Sequence, residues 1–244
     1  MTDYTLITGA SSGIGRGIAQ RLSANHSLIL SGRRVEALEE TRSGCQGPER
    51  HRIWPYDLVE WESVETALRA LLSQLDGGVE HFVHSAGVAE ILPIRSMSPA
   101  RTLHLMSVNC LSAIELSRLL LKKRLNPRRP RTITFISSTS SLIGEKGGNV
   151  YCASKGALDA FMRSLAVEVA PETRVNSILP GIVATQMGSE WIERPTYQRL
   201  IEERVPLGAG TVGDVVNTVE FAISDKARWM TGQQIVLDGG RTIT

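Results

Sequence analysis

Ser138, Tyr151 and Lys155 are the residues whose types and spacing best suit proton chemistry. Ser138 follows an apolar, strand-like run, and Tyr151 and Lys155 stand four residues apart at the start of a long helix-period segment. Because residues four apart lie on one face of a helix, the Lys155 ammonium can stabilise the Tyr151 phenolate. A phenol with a reference pKa of about 10 exchanges protons near neutral pH only with such help. The pattern predicts Tyr151 as general acid and base and Ser138 as the hydrogen-bond partner of a substrate oxygen.

A glycine-rich loop near the N-terminus has the composition of a phosphate-binding turn. It runs from Thr8 to Gly15, between a strand-like run and a helix-period segment. Glycines permit a tight turn and a close backbone approach, and the helix N-terminus offers unpaired N–H groups to a phosphate. The alternative is a glycine-rich turn without a ligand. The loop residues predicted to contact the pyrophosphate of a dinucleotide are Gly9, Ser11, Ser12, Gly13, Ile14 and Gly15.

The end of the second strand-like run predicts which dinucleotide binds. An acidic residue at that place would hydrogen-bond the ribose hydroxyls of NAD, but the segment from Leu30 onward carries Arg33 and Arg34 and has no carboxylate before Glu36. Guanidinium groups suit a 2′-phosphate, so the sequence predicts NADP(H) in preference to NAD(H), with Arg33 as the stronger candidate. The alternative is that both arginines are solvated residues at a helix start.

The elements that must position these residues follow an alternating pattern. Short apolar, β-branched runs alternate with longer helix-period segments, which is typical of repeated β-α-β units and a parallel sheet. We therefore predict one α/β domain over residues 1–244, a Rossmann fold with a doubly wound, seven-stranded parallel sheet. The predicted strands are 4–8, 27–31, 51–56, 81–84, 132–136, 174–178 and 234–237, and the predicted helices are 15–24, 63–75, 102–123, 151–170 and 214–223.

Four motifs occur in the order and spacing of one known family. The glycine loop, Ser138, the Tyr-x-x-x-Lys pair and Pro180-Gly181 resemble the short-chain dehydrogenase/reductase family, and the likeness extends from Thr8 to Gly240. The resemblance implies hydride transfer between a nicotinamide cofactor and a carbonyl or alcohol. It also implies that Asn109 completes the catalytic set with Ser138, Tyr151 and Lys155; the alternative is an ordinary mid-helix amide.

The same resemblance implies further cofactor contacts. Asp57 would hold the adenine, although it could equally cap the next helix. The sequence departs from the family where Asn-Asn-Ala-Gly is usual, since it reads His84-Ser85-Ala86-Gly87. The hydrogen bonds of the missing asparagine must then be replaced. The full set of implied cofactor residues outside the glycine loop and the two arginines is Asp57, Leu58, Ser85, Ala86, Gly87, Tyr151, Lys155, Pro180, Gly181, Ile182 and Thr185.

The substrate is less well specified. Residues 187–206, with Met187, Trp191, Ile192, Tyr197 and Leu200, match the place of the family's mobile lid, or else form a surface helix pair that buries its own apolar residues. Within the family the chain looks most like 3-oxoacyl-carrier-protein reductases and related NADPH carbonyl reductases. Two alternatives are a non-catalytic NADP(H)-sensing protein and an NAD-dependent alcohol or sugar dehydrogenase. The basic segment 126–131 is either a solvated loop or a docking patch for an acidic carrier protein.

Composition limits the classes of partner and the compartment that we expect for this protein. A net charge of +2 from 27 basic and 25 acidic residues gives no strong field for nucleic acid, and no apolar stretch is long enough to span a membrane. Three scattered cysteines suit a reducing compartment, so we expect a cytoplasmic protein. His81 and His84 are three apart in a strand-like run and should point to opposite faces, so we expect no metal site. Family resemblance implies a homotetramer or homodimer.

Overall fold

A computed structural model describes residues 2–185 and 194–244 of the chain. Its centre is a seven-stranded parallel sheet with the strand order β3-β2-β1-β4-β5-β6-β9. The sheet strands are β1 Asp3–Thr8, β2 Ser27–Gly32, β3 Arg52–Pro55, β4 Gly78–His84, β5 Thr132–Ile136, β6 Arg174–Pro180 and β9 Gln234–Leu237. The seven predicted strands are confirmed with small differences at their ends. Two short strands that the sequence did not predict, β7 Val183–Ala184 and β8 Gly210–Thr211, form a separate parallel pair.

Helices cover both faces of the sheet, so the predicted doubly wound architecture is confirmed. One buried cluster packs Ile18, Leu38 and Val215 against one face, and a second packs Leu68, Leu116 and Leu158 against the other. These residues come from crossover helices, which bury one apolar stripe each. The described helices of eight or more residues are α1 Gly13–Leu22, α2 Val35–Ser43, α3 Val64–Leu72, α4 Pro99–Met106, α5 Ser112–Leu120, α6 Asn149–Val169, α7 Pro195–Arg204 and α8 Val212–Ile223.

The predicted helix over 102–123 is interrupted. α4 and α5 are joined by a π-helical segment, Ser107–Leu111, whose wider turn changes the direction of side chains such as Asn109. Such segments are frequent at functional sites. Helix α2 was not predicted because only two of its buried residues, Ala37 and Leu38, are apolar, so its sequence carries a weak apolar stripe.

The basic segment lies at the amino end of β5, where the structure favours a connecting loop. Arg128 pairs with Asp3, and Arg131 pairs with Asp225. Asn126 is buried, and its side chain accepts from the Val79 N–H (2.8 Å) and donates to the Val79 carbonyl (3.0 Å). The ion pairs and hydrogen bonds of this segment therefore hold the connection between α5 and β5 in place.

Among the helices in the described part of the chain, none combines the length and apolarity that crossing a lipid bilayer requires.

Candidate active site

A cavity of about 430 Å³ opens at the carboxyl ends of β1, β4, β5 and β6. This is the edge at which ligands of open parallel α/β sheets bind. The structure brings together at this cavity nearly all the residues that the sequence singled out. The predicted residues that line it are Gly9, Ser11, Ser12, Gly13, Ile14, Gly15, Arg33, Asp57, Leu58, Ser85, Ala86, Gly87, Ser138, Tyr151, Lys155, Pro180, Gly181, Ile182 and Thr185.

The glycine loop is shaped as a cradle. Gly9 has φ +68°, and a Cβ placed there would lie 2.8 Å from the backbone N and Cα of Ala86. A Cβ on Gly15 would lie 2.2 Å from the Gly9 carbonyl oxygen. Only glycine fits at both positions, because a side chain would displace backbone. The loop leads directly into α1, whose first turn lies at the cavity and can receive an anion such as a pyrophosphate.

The two arginines after β2 occupy different places. Arg33 lines the cavity and is exposed, and within the described ranges it has no hydrogen-bond or ion-pair partner. Arg34 is the N-cap residue of α2 and is not among the cavity's lining residues. Arg16, in contrast, is paired in a bidentate arrangement with both carboxylate oxygens of Glu40 at 2.9 Å. Arg33 is therefore the guanidinium near the glycine loop that is free to bind an added phosphate.

Asp57 serves the local backbone and also faces the cavity. Its carboxylate accepts a hydrogen bond from the Val59 N–H at 3.1 Å, capping the turn that follows β3. Asp57 and Leu58 also line the cavity. The two interpretations of Asp57 are thus compatible in one conformation.

Thr8 provides hydrogen bonds at the end of β4, where the sequence has His84-Ser85 in place of the family's usual Asn-Asn. The Thr8 hydroxyl accepts a hydrogen bond from the Ala86 N–H at 3.2 Å and is joined to Nδ1 of His84 at 3.0 Å. Desolvation lowers the pKa of buried His84 to about 3, so the ring is neutral. The end of β1 and the end of β4 are therefore held together beside the glycine loop by a threonine and a histidine.

Ser138 and Tyr151 meet at the cavity wall. The Ser138 hydroxyl donates to Oγ of Ser140 and accepts from the Ser140 N–H, both at 3.1 Å, which orients it at the end of β5. Desolvation by burial raises the pKa of Tyr151, a hydrogen bond with Ser138 lowers it, and the nearby Glu145 charge raises it, which gives a net pKa of about 12. Tyr151 is therefore protonated at neutral pH and held by the serine with which it would share a substrate oxygen.

Lys155 lies one turn along α6 from Tyr151. Its Nζ donates to the Ile136 carbonyl at 2.9 Å and lies 5.9 Å from the centroid of the Tyr151 ring. Burial lowers its pKa to about 8, with the Asp159 charge acting in the opposite direction. The ammonium is thus held beside the phenol and close to its titration range near neutral pH.

Asn109 lies behind the cavity rather than on its wall. It is fully buried; its Oδ1 accepts from the Val88 N–H at 2.8 Å, and its Nδ2 donates to the Val88 carbonyl and to Oγ of Ser154, both at 2.9 Å. A Cβ added at Gly87 would lie 3.3 Å from Nζ of Lys155 and 3.5 Å from Oδ1 of Asn109. Asn109 therefore joins the loop after β4 to α6 next to the lysine.

The segment after β6 forms part of the cavity wall next to the glycine loop. Thr185 lies above Gly13, where an added Cβ would approach the Thr185 Cβ to 3.7 Å. Of the predicted lid, Tyr197 lines the cavity from α7, and Leu200 lies on the same helix. Met187, Trp191 and Ile192 lie outside the described residues.

Sequence reasoning missed two charged residues of the cavity wall, Glu145 and Arg241. Glu145 belongs to a loop and Arg241 to a short C-terminal turn, so neither stands in a periodic pattern. They come together only through the tertiary structure, and no spacing in the sequence could have indicated their contact.

Comparisons with known proteins agree with this geometry. Residues 9–242 match the family model described as enoyl-(acyl carrier protein) reductase. The chain is 33% identical to L-xylulose reductase of Bos taurus, covering 96% of this chain and 94% of that protein. It is 30% identical to a 3-oxoacyl-[acyl-carrier-protein] reductase of Aquifex aeolicus, covering 97% and 96%.

A solved structure has the same fold over nearly the full length. 4-Hydroxyisoleucine dehydrogenase, complexed with NADH, superimposes with a TM-score of 0.91 and 28% sequence identity, covering 99% of each chain. The likeness therefore spans the sheet, the helices and the cavity edge together.

Proposed function

The protein belongs to the short-chain dehydrogenase/reductase family of oxidoreductases acting on CH–OH and C=O groups, and from that premise we propose that it is an NADP(H)-dependent carbonyl reductase using Tyr151 as its proton donor. The observation that carries the proposal is the placement of Ser138, Tyr151 and Lys155 on the wall of the cavity that the glycine loop also lines. The glycine loop that would bind the dinucleotide and the proton donor Tyr151 therefore line the same cavity.

The cavity fits a nicotinamide dinucleotide. The glycine cradle, the first turn of α1 and Arg33 would hold its phosphates, Asp57 and Leu58 its adenine end, and residues 180–182 and Thr185 its nicotinamide end. When bound in reduced form, the cofactor supplies the hydride for the carbonyl carbon. Ser85, Ala86 and Gly87 lie between the two ends and permit close approach.

The chain's own residues supply the proton and the positioning. In reduction, the Ser138 hydroxyl hydrogen-bonds to the carbonyl oxygen, and Tyr151 donates its phenolic proton to that oxygen as negative charge develops there. Lys155 stabilises the resulting phenolate, because its ammonium lies on the same helix face. Oxidation of the alcohol runs through the same groups in reverse.

Arg33 supports NADP(H) as the cofactor. An unpaired guanidinium on the cavity wall can form charge-assisted, bidentate hydrogen bonds with a 2′-phosphate. No carboxylate occupies the end of β2 to bind the ribose hydroxyls of NAD(H). The related 4-hydroxyisoleucine dehydrogenase is complexed with NADH, so the preference is a property proposed for this chain from its own residues.

The substrate proposal is a small carbonyl compound. A 3-oxoacyl thioester is the second candidate, favoured by the similarity to the Aquifex aeolicus reductase. The segment 126–131 gives little support to a carrier-protein dock, because it lies at the amino end of β5, whereas the cavity lies at the carboxyl end. The expected homotetramer or homodimer and the cytoplasmic location remain predictions.

A comparison of NADPH and NADH oxidation over a panel of ketoses, diketones, keto acids and 3-oxoacyl thioesters tests the proposal. We expect turnover with NADPH for at least one carbonyl class and a clear preference over NADH. Tight NADPH binding with no turnover of any class would favour a cofactor-sensing protein. A preference for NADH would contradict the role given to Arg33 and favour an NAD-dependent alcohol or sugar dehydrogenase.

A further inference from the structure

An ion pair forms part of the cavity wall near Tyr151. Nη1 of Arg241 lies 2.9 Å from Oε1 of Glu145, and the two side chains are only 15% and 18% exposed. In every other Arg–carboxylate or Lys–carboxylate pair of the described residues, at least one partner is a quarter or more exposed. A sheltered ion pair loses hydration and contributes little net stability, so its place on a cavity wall indicates another use.

Two separate turns hold the partners. The Glu145 carbonyl accepts from the Gly148 N–H at 2.9 Å, immediately before α6. On the other side, the Asp238 carboxylate accepts from the N–H groups of Gly240 (2.9 Å) and Thr242 (2.7 Å), which fixes the turn carrying Arg241. Both charges are therefore presented by ordered backbone, one near the catalytic helix and one from the C-terminal turn.

The pair offers a donor and an acceptor side by side. It joins one nitrogen to one oxygen, and within the described ranges neither side chain has a second hydrogen-bond partner. The other carboxylate oxygen of Glu145 can accept, and the other N–H groups of Arg241 can donate. A hydroxyl group both donates and accepts, so it can bind to the pair and leave it intact.

Charged substrate groups match the pair less well. A carboxylate that reached Arg241 would lie next to the Glu145 charge, and an ammonium that reached Glu145 would lie next to Arg241. Either ligand must weaken an ion pair that is already sheltered from water, which costs binding energy. A bare alkyl chain would cover the free donor and acceptor without satisfying them.

We infer that Glu145 and Arg241 are a specificity element that selects neutral, hydroxyl-bearing carbonyl substrates over anionic, cationic or purely alkyl ones. The inference rests on the proposed function, since it assumes that Ser138 and Tyr151 hold the carbonyl. It adds to that function a second point of recognition in the same cavity, supplied by residues that take no part in proton transfer.

Steady-state kinetics with three probes tests this inference. Dihydroxyacetone carries hydroxyls, 2,3-butanedione carries none, and pyruvate carries a carboxylate. We expect Glu145→Gln and Arg241→Gln each to lower the ratio of kcat/KM for dihydroxyacetone over butanedione by about 10-fold or more, mainly through KM, since hydrogen bonds to charged groups contribute this much. Arg21→Gln, which breaks the exposed pair with Glu220, is the matched control and should leave the ratio unchanged.

Pyruvate gives a signature that a purely structural role would not produce. Glu145→Gln leaves the guanidinium uncompensated and should raise pyruvate turnover relative to butanedione, whereas Arg241→Gln should lower it. Equal losses for all probes, or unchanged ratios, would overturn the inference, as would wild-type turnover of butanedione without dihydroxyacetone. Thermal melting checks folding, and Arg241→Met, which also removes the charge and the donors but keeps a long side chain, replaces Arg241→Gln if that variant is unstable. Absence of wild-type turnover with every carbonyl tested would instead refute the proposed function itself.

Discussion

The ammonium of Lys155 lies 5.9 Å from the centre of the Tyr151 ring while it donates to the Ile136 carbonyl at 2.9 Å. The backbone of β5 thus fixes the distance between the lysine charge and the phenol. Burial lowers the pKa of Lys155 to about 8 and raises the pKa of Tyr151 to about 12, so the two values move apart. The lysine therefore loses its charge at a lower pH than the tyrosine loses its proton.

This order predicts the pH dependence of carbonyl reduction. Reduction needs a protonated Tyr151, which persists to high pH, and a charged Lys155, which is lost as pH rises through about 8. We therefore expect kcat/KM to be nearly constant on the acid side of this value and to fall on the alkaline side, when measured between about pH 6 and about pH 10. NADPH affinity followed by fluorescence over the same range serves as the control. A rate that stays level up to about pH 10 would show that the lysine charge is not required.

Substitution of Arg33 should change cofactor preference. Arg33→Ala removes the cavity guanidinium, so we expect KM for NADPH to rise by about 10- to 100-fold, as for the loss of hydrogen bonds to a charged group, with little change for NADH. Arg34→Ala is the matched control, because Arg34 stands at the N-cap position of α2 and does not line the cavity. Equal effects of the two substitutions would mean that Arg33 contributes only general positive charge.

The glycine cradle predicts a large difference between two alanine variants. Gly9→Ala places a Cβ 2.8 Å from the Ala86 backbone at φ +68°, so it should lower the free energy of unfolding by about 1–3 kcal/mol or more and weaken NADPH binding. Gly156→Ala, in α6 with no atom within 4 Å of the new Cβ, should be neutral or stabilising by up to about 1 kcal/mol. Chemical denaturation and NADPH titration of both variants measure this. Similar stabilities would contradict the close approach of the loop to β4.

We predict that Asn109 acts by positioning the loop after β4 next to Lys155. Asn109→Ala leaves the N–H and C=O of half-buried Val88 without their side-chain partner, so we expect a loss of about 1–3 kcal/mol in the free energy of unfolding. We also expect a lower kcat with KM for NADPH little changed, because the loop beside Lys155 is no longer held. Asn149→Ala, at an exposed amide, is the control. A variant with full stability and activity would show that the Val88 contacts are dispensable.

The sequence predicted those features that depend on local pattern. Short apolar, β-branched runs located all seven sheet strands, and the motif residues Gly9, Ser138, Tyr151 and Lys155 do line one cavity. Local pattern gave no prediction for the features that depend on tertiary packing. The π-helical turn at Asn109 arises inside a helix whose periodicity looks continuous, and the Glu145–Arg241 contact joins turns that are far apart in the chain. Arg33 and Arg34 are adjacent and alike in sequence, and only the start of α2 separates their surroundings.

Single-turnover reduction by wild type and Tyr151→Phe, each saturated with NADPH and given the best carbonyl of the panel, tests the central claim most directly. The substitution removes one hydroxyl from a partly buried ring, so NADPH affinity and the melting temperature should stay close to those of the wild type. We predict that the rate falls by about 10²–10⁴-fold, the contribution typical of a positioned general acid. A variant that binds NADPH and reduces the carbonyl at the wild-type rate would contradict the assignment of Tyr151 as proton donor.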